Sequence, residues 1–377
     1  MKIVADDKIP FLKGVLEPFA EVVYLPGSKI GNADLFGADA LLIRTRTKCK
    51  ESLLNGTSIG FIGTATIGFD HIDTAYCDKN NITWTNAPGC NSSSVQQYIT
   101  AALLKLGHDH HFSLQGKTIG IIGVGNVGSK VEKIAGTLGM TVLLNDPPRA
   151  RRERSTGFVT IDTILKESDI ITLHVPLNHT GEDKTWHLFN DEVFKKTDKR
   201  PWLINSSRGE VIETAALKGA ISTGKVSGAI LDVWEKEPDI DLEMMEKTII
   251  ATPHIAGYST DGKANGTSMV VNSLCRHFGL PLSGWYPENV PAPDNPVINI
   301  ECRGKSDEDI VREAVLKTYD ISSDDNNLRQ NPSAFEKLRG DYRVRREFPA
   351  FTVELFGGND RAGKMLSKIG FRVDKKR

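Results

Sequence analysis

Short apolar runs rich in β-branched residues alternate with amphipathic stretches along most of the chain. The strands predicted in its first part are 2–5, 21–25, 40–44, 59–64 and 82–86, with helix-like stretches at 10–20 and 72–80. After an amphipathic helix at 94–106 and a polar connector, further strands are predicted at 118–123, 141–146, 170–175, 201–205, 228–233 and 248–251. This alternation is typical of parallel sheets covered on both faces, so we expect two α/β domains.

The pattern changes after about residue 280, where five prolines fall between Pro281 and Pro296. Clustered prolines of this kind indicate a linker. Beyond the linker, strands are predicted at 297–301 and 351–355, and helices are predicted at 306–318, from Ser333 onward, and at 361–369. We therefore expect this segment to form a third, small α+β domain.

Composition and charge narrow the classes of partner. The 377 residues are 39% hydrophobic and 25% charged, and the formal net charge is −1. Neither nucleic acid nor a membrane is therefore an expected partner. Five cysteines without CxxC spacing argue against disulfides and structural zinc, and we expect a cytoplasmic protein. His108, His110 and His111 lie in the polar connector, where we interpret them as surface residues and expect no metal.

A glycine-rich turn follows the strand predicted at 118–123 and begins a helix. Glycines at its first, third and sixth positions suit a tight turn, backbone approach to a pyrophosphate, and close packing of helix on strand. The turn residues expected to bind a dinucleotide are Gly123, Gly125, Asn126, Val127 and Gly128.

Asp146 ends the next predicted strand. A carboxylate at this position accepts hydrogen bonds from the ribose hydroxyls of NAD and repels the 2′-phosphate of NADP. We therefore predict NAD as the cofactor. The arginines at 149, 151, 152 and 154 could neutralise a 2′-phosphate, so NADP stays open as the alternative cofactor. The structural alternative for Asp146 is that it only begins the turn before two prolines.

Three reactive side chains follow later predicted strands: Arg208, Glu237 and His254. Arg208 can grip a carboxylate through two parallel hydrogen bonds, and His254 can take the proton of a neighbouring hydroxyl as hydride leaves for nicotinamide. Glu237, if it pairs with the imidazole, would hold its orientation and stabilise its charged form. Singly, each has a structural alternative: a salt-bridge arginine, a loop acid or a packed histidine. Their order behind the nucleotide motif favours oxidation of a 2-hydroxy acid.

Six ordered motifs resemble the D-isomer-specific 2-hydroxyacid dehydrogenases over about residues 1–285: GVGNVG, the strand-end Asp146, HVPL at 174–177, INSSRG, LDVWEKEP and PHIAG. The resemblance implies a Rossmann-type NAD domain at 94–255 and a flavodoxin-like, discontinuous substrate (lid) domain at 1–93 and 256–285. The segment at 286–377 is then a small α+β dimerisation domain, and the protein a homodimer. The resemblance also implies that Arg208, Glu237 and His254 are catalytic. The residues it places along NAD are His174, Val175, Asp232 and Gly257.

A closer resemblance within this family is carried by RTRTK at 44–48, GTATIGFDH at 63–71 and HIAGY at 254–258. It places Thr45, Thr66 and Tyr258 at the substrate and implies that the substrate is a small phosphorylated 2-hydroxy acid. Such a molecule has two anionic ends, and Arg208 suits the carboxylate. Arg44 and Arg46 flank Thr45 and suit the phosphate. The alternative for this segment is an ordinary basic surface loop.

Two other functions stay open at this point. One is oxidation of D-3-phosphoglycerate or another D-2-hydroxy acid by the same residues. The other belongs to a different class, an NAD(H)-sensing binding protein on the same fold, because a fold alone does not settle function. Turnover of a hydroxy acid would separate an enzyme from a sensor.

Overall fold

The computed structural model describes residues 1–376 and divides into two compact units. The first unit comprises Met1–Asn91 and Ser259–Pro291, and the second comprises Ser92–Tyr258 with the chain from Ala292 onward. The strands are β1 (Lys2–Asp6), β2 (Glu21–Leu25), β3 (Ala40–Ile43), β4 (Phe61–Thr64), β5 (Thr83–Thr85), β6 (Thr118–Ile122), β7 (Thr141–Asn145), β8 (Ile170–Leu173), β9 (Trp202–Asn205), β10 (Gly228–Leu231), β11 (Ile250–Ala251), β12 (Val297–Glu301), β13 (Thr352–Phe356) and β14 (Arg372–Lys376).

Helices connect most of these strands. The α-helices are α1 (Glu51–Leu54), α2 (Thr74–Lys79), α3 (Ser92–Asp109), α4 (Gly128–Thr137), α5 (Pro147–Glu153), α6 (Ile161–Glu167), α7 (Asp191–Lys195), α8 (Thr214–Ser222), α9 (Leu242–Lys247), α10 (Thr260–Phe278), α11 (Asp307–Thr318), α12 (Ile321–Gln330), α13 (Phe335–Gly340) and α14 (Asp360–Ile369). Short 3₁₀ turns lie at Gly27–Lys29, Asn32–Leu35, Gly209–Val211, Pro332–Ala334 and Phe348–Ala350.

The first unit contains a parallel sheet with the strand order β2-β1-β3-β4-β5. This is the flavodoxin-like order, in which the strand order reverses beside β1. The central strands β3 and β4 are buried on both faces, as expected for apolar runs in a parallel sheet. The helix α10 packs on this sheet so closely that a Cβ on Gly63 would lie 2.5 Å from Val270. The chain thus returns to the first unit after Tyr258.

The second unit contains a larger parallel sheet with the order β11-β10-β9-β8-β6-β7. Strand β6 pairs with β7 on one side and with β8 on the other, so the strand order reverses beside β6. Open α/β sheets bind their ligands at the carboxyl ends of strands beside such a reversal. The glycine-rich turn follows β6 and His174 follows β8, so the candidate nucleotide residues lie at this switch point.

The C-terminal segment forms a three-stranded parallel sheet in the order β12-β13-β14. Its buried side chains, such as Ile310 and Val353, belong to the same hydrophobic cluster as Tyr98 and Ile119 of the nucleotide-binding part. Tyr98 and Tyr319 lie with their ring centroids 6.3 Å apart. The C-terminal sheet and the larger sheet of the second unit therefore share one core.

The structure confirms the α/β fold class and corrects several local predictions. The stretch 10–20 forms turns and no helix, because Phe11 and Gly14 have φ values of +62° and +86° and Pro18 lacks an amide donor. The helix expected from Ser333 begins at Phe335 after a 3₁₀ turn, and its start has no side-chain cap. The helices α5, α6 and α12 were not foreseen, because their short apolar faces are hard to distinguish from loop sequence.

Within residues 1–376, no group of three or more His, Cys, Asp or Glu side chains is arranged to hold a metal ion. His108 Nδ1 instead lies 3.0 Å from Asp109 Oδ1, and His110 packs on Trp202 with ring centroids 4.3 Å apart. In the same described part of the chain, no helix has the length and apolar character needed to cross a membrane.

Candidate active site

The glycine-rich turn between β6 and α4 has the geometry of a pyrophosphate cradle. Gly123 has φ +88°, and a Cβ there would lie 2.5 Å from the carbonyl oxygen of His174. A Cβ on Gly128 would collide with the carbonyl oxygen of Gly123. At Gly125, by contrast, no heavy atom of the described chain, apart from Gly125 and its two neighbours, lies within 4 Å of the Cβ position. The outer glycines are required by packing, and the middle one faces the space that a phosphate would fill.

Asp146 fixes this turn to the end of β7. Its Oδ2 accepts a hydrogen bond of 2.8 Å from Val124 N, and its Oδ1 accepts one of 2.9 Å from Arg149 N, at the start of α5. Each oxygen retains a lone pair for a ribose hydroxyl. The carboxylate therefore serves as a helix cap and remains suitable for the ribose role predicted from sequence.

Arg149 and Arg151, two of the four arginines that kept NADP open, are engaged by acidic side chains. Arg149 Nε lies 2.8 Å from Glu153 Oε1, and its Nη1 donates to the carbonyl oxygen of Val124 at 2.7 Å. Arg151 lies 3.1 Å from Glu182 and 2.5 Å from Asp183. A 2′-phosphate would have to displace these carboxylates, so the structure favours NAD.

We expect kcat/KM to be at least about 100-fold higher with NAD than with NADP, because a 2′-phosphate would lie beside the Asp146 carboxylate. Asp146→Asn should narrow this ratio by removing the repulsion, whereas Glu246→Gln, which changes an exposed acid in α9, should not. Steady-state rates with both nucleotides measure the ratio. A wild-type enzyme that uses NADP as well as NAD would contradict the prediction.

His174 and Val175 follow β8 and lie against the glycine-rich turn. Val175 Cγ1 would lie 2.9 Å from a Cβ placed on Gly123. His174 Nε2 lies 3.0 Å from Thr172 Oγ1, and burial lowers the pKa of His174 to about 3. The imidazole is therefore neutral at physiological pH and adds no charge to the nucleotide site.

The three residues of the predicted catalytic trio follow three neighbouring strands at one edge of the larger sheet. Arg208 follows β9, Glu237 follows β10 and His254 follows β11; in the register, Leu231 pairs with both Asn205 and Ala251. Because these strands are parallel, their carboxyl ends meet at the same edge. The trio is therefore gathered by topology, although its members are far apart in sequence.

Glu237 and His254 form a direct pair. His254 Nδ1 lies 2.7 Å from Glu237 Oε2, and Glu237 Oε1 accepts a hydrogen bond of 2.9 Å from Trp234 N. The carboxylate thus holds the proton of the neutral imidazole on Nδ1 and leaves Nε2 as the atom that accepts another. The His254 side chain is 30% exposed and so is not sealed in the core.

The backbone that carries His254 is held by Asp232. His254 itself has φ +55°, in the left-handed region that a non-glycine residue rarely adopts. The Asp232 carboxylate, which is 1% exposed, accepts bonds from Thr252 Oγ1 at 2.6 Å, Ile255 N at 2.8 Å and Ala256 N at 2.9 Å. Burial raises the pKa of Asp232, and these three donors oppose the rise. The buried carboxylate therefore maintains a strained turn at a candidate catalytic residue.

Arg208 lies on a segment that is locked to the Glu237 loop. A Cβ on Gly209 would collide with the backbone of Trp234, so only glycine fits there. Asn205 Nδ2 donates to the carbonyl oxygen of Arg208 at 2.9 Å, and Arg208 Nη1 donates to Ser207 O at 2.7 Å. The other guanidinium donors suit a carboxylate.

The C-terminal segment also holds the His254 loop. Arg345, which is 3% exposed, donates through Nη2 to the carbonyl oxygen of Ala256 at 2.6 Å and to Ser94 Oγ. Its guanidinium lies 4.5 Å from the ring centroid of Tyr319. No sequence motif signals this contact, because Arg345 and Ala256 are 89 residues apart.

The candidate substrate residues of the first unit lie at strand ends. Arg44, Thr45 and Arg46 follow β3, and Thr66 follows the neighbouring strand β4. Arg44 Nη1 donates to the carbonyl oxygen of Lys8 at 3.3 Å, and Thr66 Oγ1 donates to the carbonyl oxygen of Gly68 at 3.0 Å. Their role at the substrate stays a prediction.

The candidates at the end of the His254 loop are Gly257 and Tyr258. Both are partly exposed, and Tyr258 lies edge-on to Tyr342 with ring centroids 6.0 Å apart. The assignments of Gly257 to NAD and of Tyr258 to the substrate stay predictions.

Comparison with known proteins places this geometry in a family. Residues 91–256 match the D-isomer specific 2-hydroxyacid dehydrogenase, NAD binding domain, and residues 292–370 match a domain of unknown function, DUF3410. The solved D-lactate dehydrogenase from Aquifex aeolicus, complexed with NAD and lactic acid, is similar with a TM-score of 0.59 and 27% identity; the match covers 74% of this chain and 96% of that one.

Two curated relatives match along nearly their whole length. The erythronate-4-phosphate dehydrogenase of Bacteroides thetaiotaomicron is 51% identical over 354 residues, covering 94% of this chain and 99% of the relative. That of Porphyromonas gingivalis is 40% identical over 372 residues, covering 98% and 100%. The chain therefore belongs to the erythronate-4-phosphate dehydrogenase family, within the D-isomer-specific 2-hydroxyacid dehydrogenases.

Proposed function

We propose that the protein oxidises 4-phospho-D-erythronate at C2 to (R)-3-hydroxy-2-oxo-4-phosphooxybutanoate, with NAD as the hydride acceptor, in the biosynthesis of pyridoxine 5′-phosphate (vitamin B6). The observation that carries the proposal is the pair formed by His254 Nδ1 and Glu237 Oε2, 2.7 Å apart, at the sheet edge that also carries Arg208. The proposal is supported by relatives named erythronate-4-phosphate dehydrogenase, which match along almost the whole chain.

The side chains of the trio have distinct roles in this reaction. Arg208 binds the substrate carboxylate and draws electron density from the adjacent C2 oxygen. His254 Nε2 accepts the proton of the C2 hydroxyl, and Glu237 stabilises the imidazolium that results. NAD, when bound, supplies the acceptor for the hydride that leaves C2. The proton leaves the C2 hydroxyl oxygen and the hydride leaves C2, so a ketone remains at C2.

We further propose that the phosphate end of the substrate is bound by Arg44, Thr45, Arg46 and Thr66. These residues offer guanidinium and hydroxyl donors at the carboxyl ends of two neighbouring strands, β3 and β4, where parallel sheets bind ligands. The carboxylate and the phosphate would then be bound by separate cationic groups.

We also propose a homodimer in the cytoplasm. Exposed apolar side chains on the C-terminal segment, Val297 at 48% and Val344 at 56%, support an association surface there. The free cysteines, among them the buried Cys49 and Cys77, suit a reducing compartment. Sedimentation of the intact chain tests the dimer.

The substrate proposal is tested by NADH formation with 4-phospho-D-erythronate and 3-phosphoglycerate side by side. We expect kcat/KM for 4-phospho-D-erythronate to be higher by roughly 100-fold, since the two acids differ in length and a misplaced C2 loses alignment with His254. The first turnover is recorded separately, so that slow NADH release does not mask the chemistry. Preference for 3-phosphoglycerate would contradict the assignment, and NADH binding without turnover would indicate the sensing protein.

A further inference from the structure

An arginine of the C-terminal segment contacts the loop that follows the catalytic histidine. Arg339, in α13, donates through Nη2 to the hydroxyl oxygen of Tyr258 at 3.2 Å. Its guanidinium carbon lies 5.7 Å from the centroid of the Tyr258 ring. Arg339 Nη1 also lies 3.0 Å from Glu336, which fixes the other side of the guanidinium. All three residues belong to the second unit of the chain.

The charge of Arg339 acts on the candidate active site. Burial favours the neutral form of Arg339, but Tyr258, Glu237 and Glu336 together outweigh it, and the pKa of Arg339 is raised. The guanidinium therefore lies within electrostatic reach of the carboxylate that pairs with His254. Arg339 Nε is buried and has no hydrogen-bond partner within residues 1–376, although the rest of the guanidinium is engaged. This part of the second unit thus holds a fixed positive charge with an unused donor.

The direction of the hydrogen bond follows from the chemistry of the two groups. A guanidinium only donates, so the Tyr258 oxygen is the acceptor in its contact with Arg339. The hydroxyl proton of Tyr258 then points away from the arginine. A hydroxyl that accepts from a cationic donor is polarised and becomes a stronger donor in turn.

We propose that Arg339 is a positioning residue for the reaction, which holds the Tyr258 hydroxyl so that it donates to an anionic oxygen of the substrate. The proposal rests on the proposed function, which places Tyr258 at the substrate. The C-terminal segment then contributes to substrate binding, in addition to the proposed homodimer. The simpler alternative is that Arg339 only packs against Tyr258 and Phe335, whose ring centroid lies 5.8 Å away.

A double-mutant cycle separates these two roles. The variants are Arg339→Ala, Tyr258→Phe and the combination of both. Arg312→Ala is the matched control. Arg312 is 23% exposed and lies 2.7 Å from Asp309, three residues before it. Arg339 is likewise 22% exposed and lies 3.0 Å from Glu336, three residues before it. Each variant is measured for kcat/KM with 4-phospho-D-erythronate, for the Kd of NADH, and for the Kd of 4-phospho-D-erythronate in the NADH complex.

We expect Arg339→Ala to lower kcat/KM roughly 10- to 100-fold, as for loss of a charge-assisted hydrogen bond, and to weaken binding of 4-phospho-D-erythronate. The Kd of NADH should stay within about twofold, and Arg312→Ala should behave as the wild type. In the Tyr258→Phe background, Arg339→Ala should add less than about threefold, because the hydroxyl through which it acts is gone. Millimolar guanidinium should restore part of the activity of Arg339→Ala but none in the double variant.

Three results would overturn the inference. They are an Arg339→Ala variant no worse than Arg312→Ala, losses that multiply in the double variant, or weakened NADH binding that accounts for the whole loss. If the wild type does not oxidise 4-phospho-D-erythronate, the proposed function fails. The Kd of this ligand in the NADH complex then still tests whether Arg339 acts through Tyr258.

Discussion

Alanine in place of His254 is expected to lower kcat for 4-phospho-D-erythronate by roughly 10²- to 10⁴-fold, the usual contribution of a positioned general base. The imidazole is bonded through Nδ1 to Glu237 at 2.7 Å, so its Nε2 is the proton acceptor that the variant removes. The Kd of NADH should change little, because the nucleotide turn follows β6 and the histidine follows β11. The rate of NADH formation in the first turnover measures the effect on chemistry.

Glu237→Gln should lower the same rate by roughly 10²-fold. An amide that donates to His254 Nδ1 would move the ring proton to Nε2, where it blocks the base, and an amide that accepts would leave the imidazolium without its counter-charge. Because Trp234 N already bonds to Oε1, the side chain should keep its position in this variant. The loss should therefore appear in kcat and not in folding.

The chain offers a matched control for this pair. His187 Nε2 lies 2.8 Å from Glu235 Oε1, the two side chains are 21% and 22% exposed, and His187 has φ +51°. This pair matches the residue types, the N···O distance and the left-handed backbone of the His254 pair, but it uses Nε2 of the histidine where His254 uses Nδ1. His187 lies in the connection between β8 and β9. His187→Ala should keep kcat within about threefold. A His254→Ala variant with more than a tenth of the wild-type kcat, or an equal loss in His187→Ala, would contradict the assignment.

The parts of the site that the sequence predicts are those that local chemistry determines. Gly123 adopts φ +88°, and a Cβ on Gly128 would collide with the carbonyl oxygen of Gly123, so these two requirements lie within one strand-turn-helix unit and are visible in the motif. Arg208, Glu237 and His254 each follow an apolar strand, and the parallel order of the sheet then gathers them at one edge. The α/β fold, the family and the NAD cofactor are confirmed on this basis.

The parts of the site that the sequence does not predict depend on contacts between distant segments. Arg345 and Arg339 contact the His254 loop across 89 and 81 residues, and neither lies in a recognisable motif. Asp232 was expected along NAD by resemblance, and the structure shows that its carboxylate is already bonded to three donors of the His254 loop. Nothing in the order of residues specifies which buried donors a carboxylate will meet.

Asp232→Ala is expected to lower both stability and activity. The variant leaves the buried amides of Ile255 and Ala256 and the Thr252 hydroxyl without an acceptor, at a cost of about 1–3 kcal/mol each. Tyr98 OH, 2.9 Å from Thr252 Oγ1, cannot replace the carboxylate, because it already donates to that oxygen. We expect Tm to fall by roughly 10 °C. Since the same bonds hold the left-handed turn at His254, kcat should fall by roughly 10²-fold even where the protein is fully folded.

Asp324→Ala separates stability from catalysis. Asp324 is also a buried carboxylate, 3% exposed, and it accepts bonds from Tyr319 OH at 3.0 Å and Tyr342 OH at 2.7 Å and pairs with Arg343. Its removal should lower Tm by a similar amount but leave kcat within about fivefold, because it holds no backbone next to the base. Thermal melts and first-turnover rates on the same samples make the comparison. Equal losses of kcat in both variants would mean that general loosening of the second unit, and not the placement of His254, explains the effect of Asp232.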